Sequence, residues 1–294
     1  MLENFYRPNY IETMEFLPND CLTHILSFTC PQEVCKFSLI SSNMHSMADS
    51  DFVWENFLPL HYQDIVSRLV ESLSFSSKKE LFLTLCKPQL IDDGTKMFSI
   101  EKKTGKICYL LSAKELSIAW GDNPFFWSWK PVQGSRFLEV AELRTVNWLE
   151  IEGKISTQIL TPNTLYEAYL IMNVSHRAYG LDFASSEISI VIGNKVEKGK
   201  TYLYDKEENK LKMGTLFYGN RRETLKMAQE EEDNEGISYP SKREDGWMEI
   251  KIGEFFSGKG NEDVKMSLRE VGYRLKGGLI LEGIEIRPKQ VKFE

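Results

Sequence analysis

Trp247-Met248-Glu249-Ile250-Lys251-Ile252 alternates apolar and charged residues without a break, and Val264-Lys265-Met266-Ser267-Leu268-Arg269 repeats the pattern. A period of two sends successive side chains to opposite faces of an extended chain, so each stretch is predicted as a half-buried strand with one wet face. Further on, Ile280, Glu282, Ile284 and Ile286 alternate with Leu281, Gly283, Glu285 and Arg287. Working back, Phe137–Arg144, Val146–Ile155, Leu165–Val174, Ile188–Ile192 and Thr201–Tyr204 are further candidate strands. Turn signals such as Thr161-Pro162-Asn163 and Gly277-Gly278 separate them. Many short strands with such punctuation predict an antiparallel sandwich rather than a parallel sheet. The polar stretch from Asp205 to Pro240, with its run Glu230-Glu231-Glu232-Asp233-Asn234-Glu235, is expected to be a solvated loop.

Upstream of Asp92-Asp93-Gly94 the period is helical. Leu17-Pro18-Asn19-Asp20 opens a helix, with Pro18 in the first turn where its missing N–H costs nothing. Leu22, Ile25 and Leu26 then share one face. Pro31-Gln32-Glu33 starts a second helix, Glu33 being favourable in the first turn, and Val34, Phe37, Ile40, Ser41 and Met44 line its face. A third short segment covers Asp51–Phe57 and stops before Pro59. Ser77-Lys78-Lys79-Glu80 has the capping-box pattern, followed by Leu81, Phe82 and Leu85 and closed near Lys87-Pro88. The fold class is therefore α+β, helices first and strands after.

Of the 294 residues, 42% are hydrophobic and 27% charged, an ordinary globular composition. Lys and Arg number 36 against 43 Asp and Glu, a net charge of −7. That balance argues against a broad basic surface for nucleic acid and against docking on anionic lipid. No apolar run approaches the roughly 18 residues of a membrane helix, and the first residues lack a secretory signal. Cys21, Cys30, Cys35, Cys86 and Cys108 form no CxxC pair and read as free thiols. Together these features predict a cytoplasmic and/or nuclear protein.

No catalytic constellation emerges. His24, His45, His61 and His176 stand at no metal-ligand spacing, and His24 and His45 are expected to face water. There is no GxSxG elbow, Walker loop or GxGxxG after a strand. Glu139, Glu142, Glu150 and Glu152 could supply a glycosidase pair, but their alternate positions read as a solvated sheet face. The chain is expected to be no enzyme, with no metal and no cofactor.

The stretch Glu15-Phe16-Leu17-Pro18-Asn19-Asp20-Cys21-Leu22-Thr23-His24-Ile25-Leu26-Ser27-Phe28 resembles the opening of an F-box, a Leu-Pro pair followed by a Leu-x-x-Ile-Leu stripe. Pro31–Ser41 is similar to its second helix and Phe52-Val53-Trp54 to its closing apolar-x-Trp. Met44 stands where many members carry Trp, a space a flexible thioether can fill. The resemblance implies a three-helix module over 14–60 that docks on the Skp-type adaptor of a cullin-based ubiquitin ligase. Leu17, Pro18, Leu22, Ile25, Leu26, Val34, Ile40 and Trp54 match the apolar pattern used for core and adaptor contact. A helical linker is expected over 61–106.

Ala113–Lys130, containing Trp120-Gly121-Asp122-Asn123-Pro124-Phe125-Phe126-Trp127-Ser128-Trp129, is a dense block. It is followed by Glu139–Ile151, Asp245–Phe256 and Lys276–Pro288. In this order the four blocks resemble the phloem protein two family, which includes the tobacco leaf lectin. The resemblance implies a jelly-roll-like β-sandwich over 107–290 that recognises N-acetylglucosamine oligomers and N-glycan cores. Trp120 and Trp127 match the two tryptophans tied to sugar there, with Asp122, Asn123 and Trp129 as companions. The C–H face of a pyranose can stack on an indole while amides and carboxylates hold its hydroxyls. The family's lysine cluster for nuclear import has only mixed charge here, in Asp205-Lys206-Glu207-Glu208-Asn209-Lys210.

Taken together, the resemblances imply the substrate-recognition subunit of a Skp–cullin–F-box ubiquitin ligase whose sandwich captures a target protein, glycosylated or bare. The alternative is a stand-alone lectin with the helical segment as a structural cap.

Overall fold

The computed structural model describes residues 17–204 and 237–290. Glu15 and Phe16 of the F-box-like opening, the mixed-charge stretch 205–212 and the acidic run 230–235 lie outside the described residues. The chain forms two compact units. One is built from the chain up to Gln89 together with Phe98–Ile107, the other from Leu90–Met97 together with the chain from Cys108 onward.

The first unit is helical: α1 (Asn19–Ser27), α2 (Pro31–Phe37), α3 (Ser42–Ala48), α4 (Asp51–Phe57), α5 (Tyr62–Ser67) and α6 (Lys78–Leu85). The expected second helix is in fact two. α2 stops at Phe37, and extended Ser41 starts α3 by accepting from the Met44 N–H at 3.3 Å. Serine is a strong N-cap because its hydroxyl satisfies an orphan first-turn donor. At α6 the capping box forms one residue wider than predicted. Ser77 Oγ accepts from Glu80 N at 3.2 Å, while the Glu80 carboxylate accepts from Ser76 N at 2.8 Å. The stretch 61–106 is not helical throughout, since two short strands, β1 (Gln89–Ile91) and β2 (Lys96–Ile100), follow Pro88. Trp54 centres the helical core. It is 1% exposed, its indole N–H donates to Ala48 O at 2.7 Å, and its ring lies 5.2 Å from that of Phe82.

The second unit contains β3 (Ile107–Ser112), β4 (Ser117–Ile118), β5 (Trp127–Lys130), β6 (Val140–Leu143), β7 (Val146–Ser156), β8 (Leu165–Tyr179), β9 (Ser186–Ile192), β10 (Lys195–Thr201), β11 (Ile237–Ser238), β12 (Ser241–Lys242), β13 (Met248–Phe256) and β14 (Asp263–Pro288). It is a large antiparallel β-sandwich. The two alternating stretches near the C-terminus belong to one strand, β14, which serves both sheets. Its first half pairs with β7 and β9, its second with β3, β6 and β8. Gly153 on β7 faces Ile284 of the second half, and Gly253 on β13 faces Ile190 on β9. The two sheets therefore meet through these interior positions.

Two expectations are corrected here. Thr201–Tyr204 is not a strand of its own: Thr201 ends β10, whose lysine-rich sequence Lys195–Lys200 gave no apolar alternation. Lysines suit a strand at a sheet edge. The second half of β14 is not half-wet but buried on both faces. One face meets the opposite sheet. The other lies in a cluster of Leu110, Phe137, Val140, Ile171 and Trp247, against which Ile280 packs. Glu282 is consequently fully buried. Its carboxylate accepts from Arg136 N at 2.7 Å, from Arg136 Nε at 3.1 Å and from Ser135 Oγ at 3.2 Å. A buried charge persists only when paired and hydrogen-bonded in this way.

Glu282→Ala leaves Arg136 only the longer pairing with Asp245, at 3.8 Å, and removes the anchor of the 135–137 segment. It should lower stability by about 3 kcal/mol in urea unfolding. Gly283→Ala should cost a comparable amount, about 3 kcal/mol, because the added Cβ would overlap the Leu111 carbonyl where β3 meets β14.

Candidate functional site

In the helical unit, α1 and α2 form a groove of about 350 Å³ lined by Leu22, Ile25, Leu26, Thr29, Glu33, Lys36, Phe37 and Ile40. Leu22 and Leu26 are buried at its floor, while Ile25 is 44% and Ile40 49% exposed. Leu17 and Pro18 are also exposed, at the start of α1. Lys36 Nζ donates to Glu33 Oε1 at 2.7 Å, and this hydrogen bond raises the ammonium pKa above its ordinary value. The adaptor list thus divides. Trp54 and Val34 are core residues that touch no partner surface, because both are sealed within the helical unit. Exposed Phe28 and Leu39, flanking the groove segments, were not singled out from sequence. They fall just past the helix ends, where periodicity lapses.

The aromatic block of the sandwich is organised by its backbone. After β4, Gly121 N donates to Ile118 O and Asn123 N to Trp120 O, both at 2.9 Å. Trp120 adopts a left-handed backbone with φ +56°. That region is costly for a bulky residue, and strain of this kind gathers at functional sites. Asn123 Oδ1 accepts from Phe125 N at 3.0 Å, a local turn that Asn favours.

This turn separates the three tryptophans. Trp127 is 1% exposed and donates its indole N–H to Ala119 O at 3.0 Å, so its predicted role as a sugar contact is corrected. Trp129 is half-buried and donates to Gly121 O at 3.1 Å. Each indole has a single donor and spends it on the loop that carries Trp120. Trp127 and Trp129 thereby hold Trp120 outward. Trp120 is 45% exposed, with its ring 5.7 Å from Phe126. Asp122 and Phe125 are exposed beside it. Four large aromatics within Phe125–Trp129 are more than one strand face can hold, and Phe125 is the one that stands well out to solvent.

Three of the four carboxylates considered for a glycosidase pair are otherwise engaged. Glu139 pairs with Lys114 at 2.7 Å and Glu142 with Lys130 at 2.6 Å. Hydrogen bonds from Trp148 and Arg269 hold the Glu150 carboxyl below the usual carboxylate range. Among the described residues no group of three or more His, Cys, Asp or Glu could hold a metal ion.

Comparison with known proteins bears on both regions. The Phloem protein 2 family matches residues 106–288 and the F-box domain residues 14–56. The chain belongs to the phloem protein 2 family and carries an F-box. It is 49% identical to F-box protein PP2-B15 of Arabidopsis thaliana, over 94% of this chain and 97% of that protein. It is 47% identical to F-box protein PP2-B13, over 95% and 100%, and to F-box protein VBF, over 94% and 100%, both from the same plant. Among solved structures, a family 35 carbohydrate binding module from Clostridium thermocellum superposes with a TM-score of 0.31 at 9% identity. That superposition covers 61% of this chain and 96% of the module, too slight a likeness to argue from. The groove thus lies within the F-box of this phloem protein 2 chain, and the Trp120 loop within its phloem protein 2 domain.

The division of the tryptophans is testable by unfolding. Trp127→Ala should cost about 3–5 kcal/mol, the usual loss for a buried aromatic. Trp120→Gly should be neutral or stabilising by about 1 kcal/mol, because glycine relieves the left-handed backbone.

Proposed function

We propose that the chain is the substrate-recognition subunit of a Skp–cullin–F-box ubiquitin ligase, working in the cytoplasm, the nucleus or both. The observation that carries this reading is the apolar α1–α2 groove within the F-box. Ile25 and Ile40 stand open to solvent over a floor of Leu22 and Leu26. Water-exposed aliphatic area of this kind favours a partner that covers it. A Skp-type adaptor would take that place and connect the chain to a cullin. Exposure of the same side chains counts against the second reading, in which the helices are merely a cap on a stand-alone lectin.

On this reading the sandwich captures a target protein, and the Trp120 loop supplies the contact for a glycan carried by it. The exposed indole face of Trp120 stacks on a pyranose such as N-acetylglucosamine, with Asp122 nearby to accept from sugar hydroxyls. Trp127 and Trp129 act through position only. The chain contributes proximity and orientation, and bond-making in ubiquitin transfer belongs to other subunits.

Co-expression with a Skp-type adaptor should give a complex on gel filtration. Ile25→Asp or Ile40→Asp should weaken it at least about tenfold while leaving the circular dichroism spectrum unchanged. A wild-type chain that elutes alone would overturn the ligase reading. Calorimetric titration with chitotriose should show binding that Trp120→Ala abolishes; silence of the wild-type chain would make the sandwich a surface for bare protein.

A further inference from the structure

Glu270 and Lys276 are nine-tenths or more buried and form an ion pair at 3.2 Å, with Lys276 Nζ also donating to Asn147 O at 2.8 Å. Between them β14 leaves its register against β7 after Val271, and Gly272–Leu275 stand out from the sheet. The pair closes the base of this excursion as a clasp would. Val271 and Leu275 are exposed, and Tyr273 is fully so.

Two other segments are locked against the same base. Any side chain at Gly180 would overlap the Leu275 carbonyl, and any at Gly277 the Arg144 carbonyl. Tyr179 Oη donates to Arg144 O at 3.2 Å, and the Arg274 guanidinium lies over the Phe183 ring. In the β7–β14 register Trp148 stands opposite Val271. One end of the sandwich therefore presents exposed Trp148, Tyr179, Phe183 and Tyr273 on a tightly fitted base.

The charge at this end runs against that of the molecule. The chain carries a net −7. Yet Arg144 and Arg177 are exposed here and have no acidic partner among the described residues, and Arg274 is stacked on an aromatic ring. Of the nearby acids, Glu270 is matched by Lys276 and Glu150 by Arg269, and Asp182 is engaged as well. Exposed aromatics interleaved with unmatched arginines are the composition of a protein-binding hot spot. Their charge fits carboxylates, which Arg binds in a planar, bidentate way.

We propose that the clasped Gly272–Leu275 excursion, with Trp148, Tyr179, Arg144 and Arg177, docks an acidic, aromatic-containing peptide segment of a captured protein. This rests on the reading of the chain as a receptor for a protein target. Because the excursion is already held in place, little ordering cost falls on binding. Unmatched arginines favour such a peptide over a neutral sugar, which the Trp120 loop suits.

The test is fluorescence anisotropy of a labelled poly(Glu,Tyr) copolymer with the full chain. Binding is expected, weakening as salt rises from about 50 to about 300 mM. The double variant Arg144→Ala with Arg177→Ala, and separately Tyr273→Ala, should each weaken it at least about tenfold. All three positions are exposed, so unfolding midpoints should match the wild type, and Leu138→Ala at another exposed position should bind as the wild type does. No binding by the wild type, or binding indifferent to these changes, overturns the proposal. Competition by chitotriose would also overturn it by making this a sugar surface. Adaptor co-elution is read on the same samples. Loss of the adaptor complex with peptide binding intact would count against the ligase reading alone.

Discussion

Strand β14 pairs with β7 and β9 through residues 263–271 and with β3, β6 and β8 through residues 277–288, so a single strand stitches both sheets. Passing from one sheet to the other demands room at the crossing, and Gly277 and Gly278 provide it. A Cβ at either would strike the Arg144 carbonyl or the Ala178 backbone, and Gly278 has φ +84°. The lysine just before them is fully buried and takes Glu270 as its counter-ion. Burial raises the Glu270 carboxyl pKa, against the opposing pull of Lys276. Buried pairs of this kind are costly to assemble and costly to break, which makes them better at fixing one arrangement than at adding stability.

The same logic of scaffold and display recurs at Trp120. Trp127 and Trp129 use their single donors on the carbonyls of Ala119 and Gly121. The turn between is thereby forced into the left-handed conformation that exposes Trp120. In the helical unit, Trp54 plays the corresponding part by donating to Ala48 O, and the apolar groove is lined by other residues. In each place buried or half-buried tryptophans are consumed in holding a surface that other residues present.

Much of the architecture was legible beforehand. Alternation at Trp247–Ile252 and Val264–Arg269 marked true strands, and Ser77–Glu80 marked a true helix start, because both signals are local. The failures were non-local or lay where two local signals competed. Ser41 capped a new helix inside what apolar spacing alone read as one. β10 was passed over because, beyond β9, it is paired only at Lys200 and Thr201, by β11, and such a strand can be polar on every exposed position. Ile280–Ile286 looked amphipathic, yet Glu282 lies inside. An alternating pattern cannot reveal that a distant Arg136 will be brought to meet the carboxylate.

By itself the sequence determined the order of helices and strands, the F-box and phloem protein 2 motifs, and the lack of any familiar catalytic spacing. Those are properties of neighbours along the chain, where periodicity and capping act within a few residues. Only the tertiary structure decided which of Trp120, Trp127 and Trp129 faces solvent, which adaptor-type residues are core, and that segments around residues 144, 179 and 274 meet at one end. Exposure and convergence depend on carbonyls, glycines and counter-ions supplied from far along the chain. Residue type alone carries no record of them.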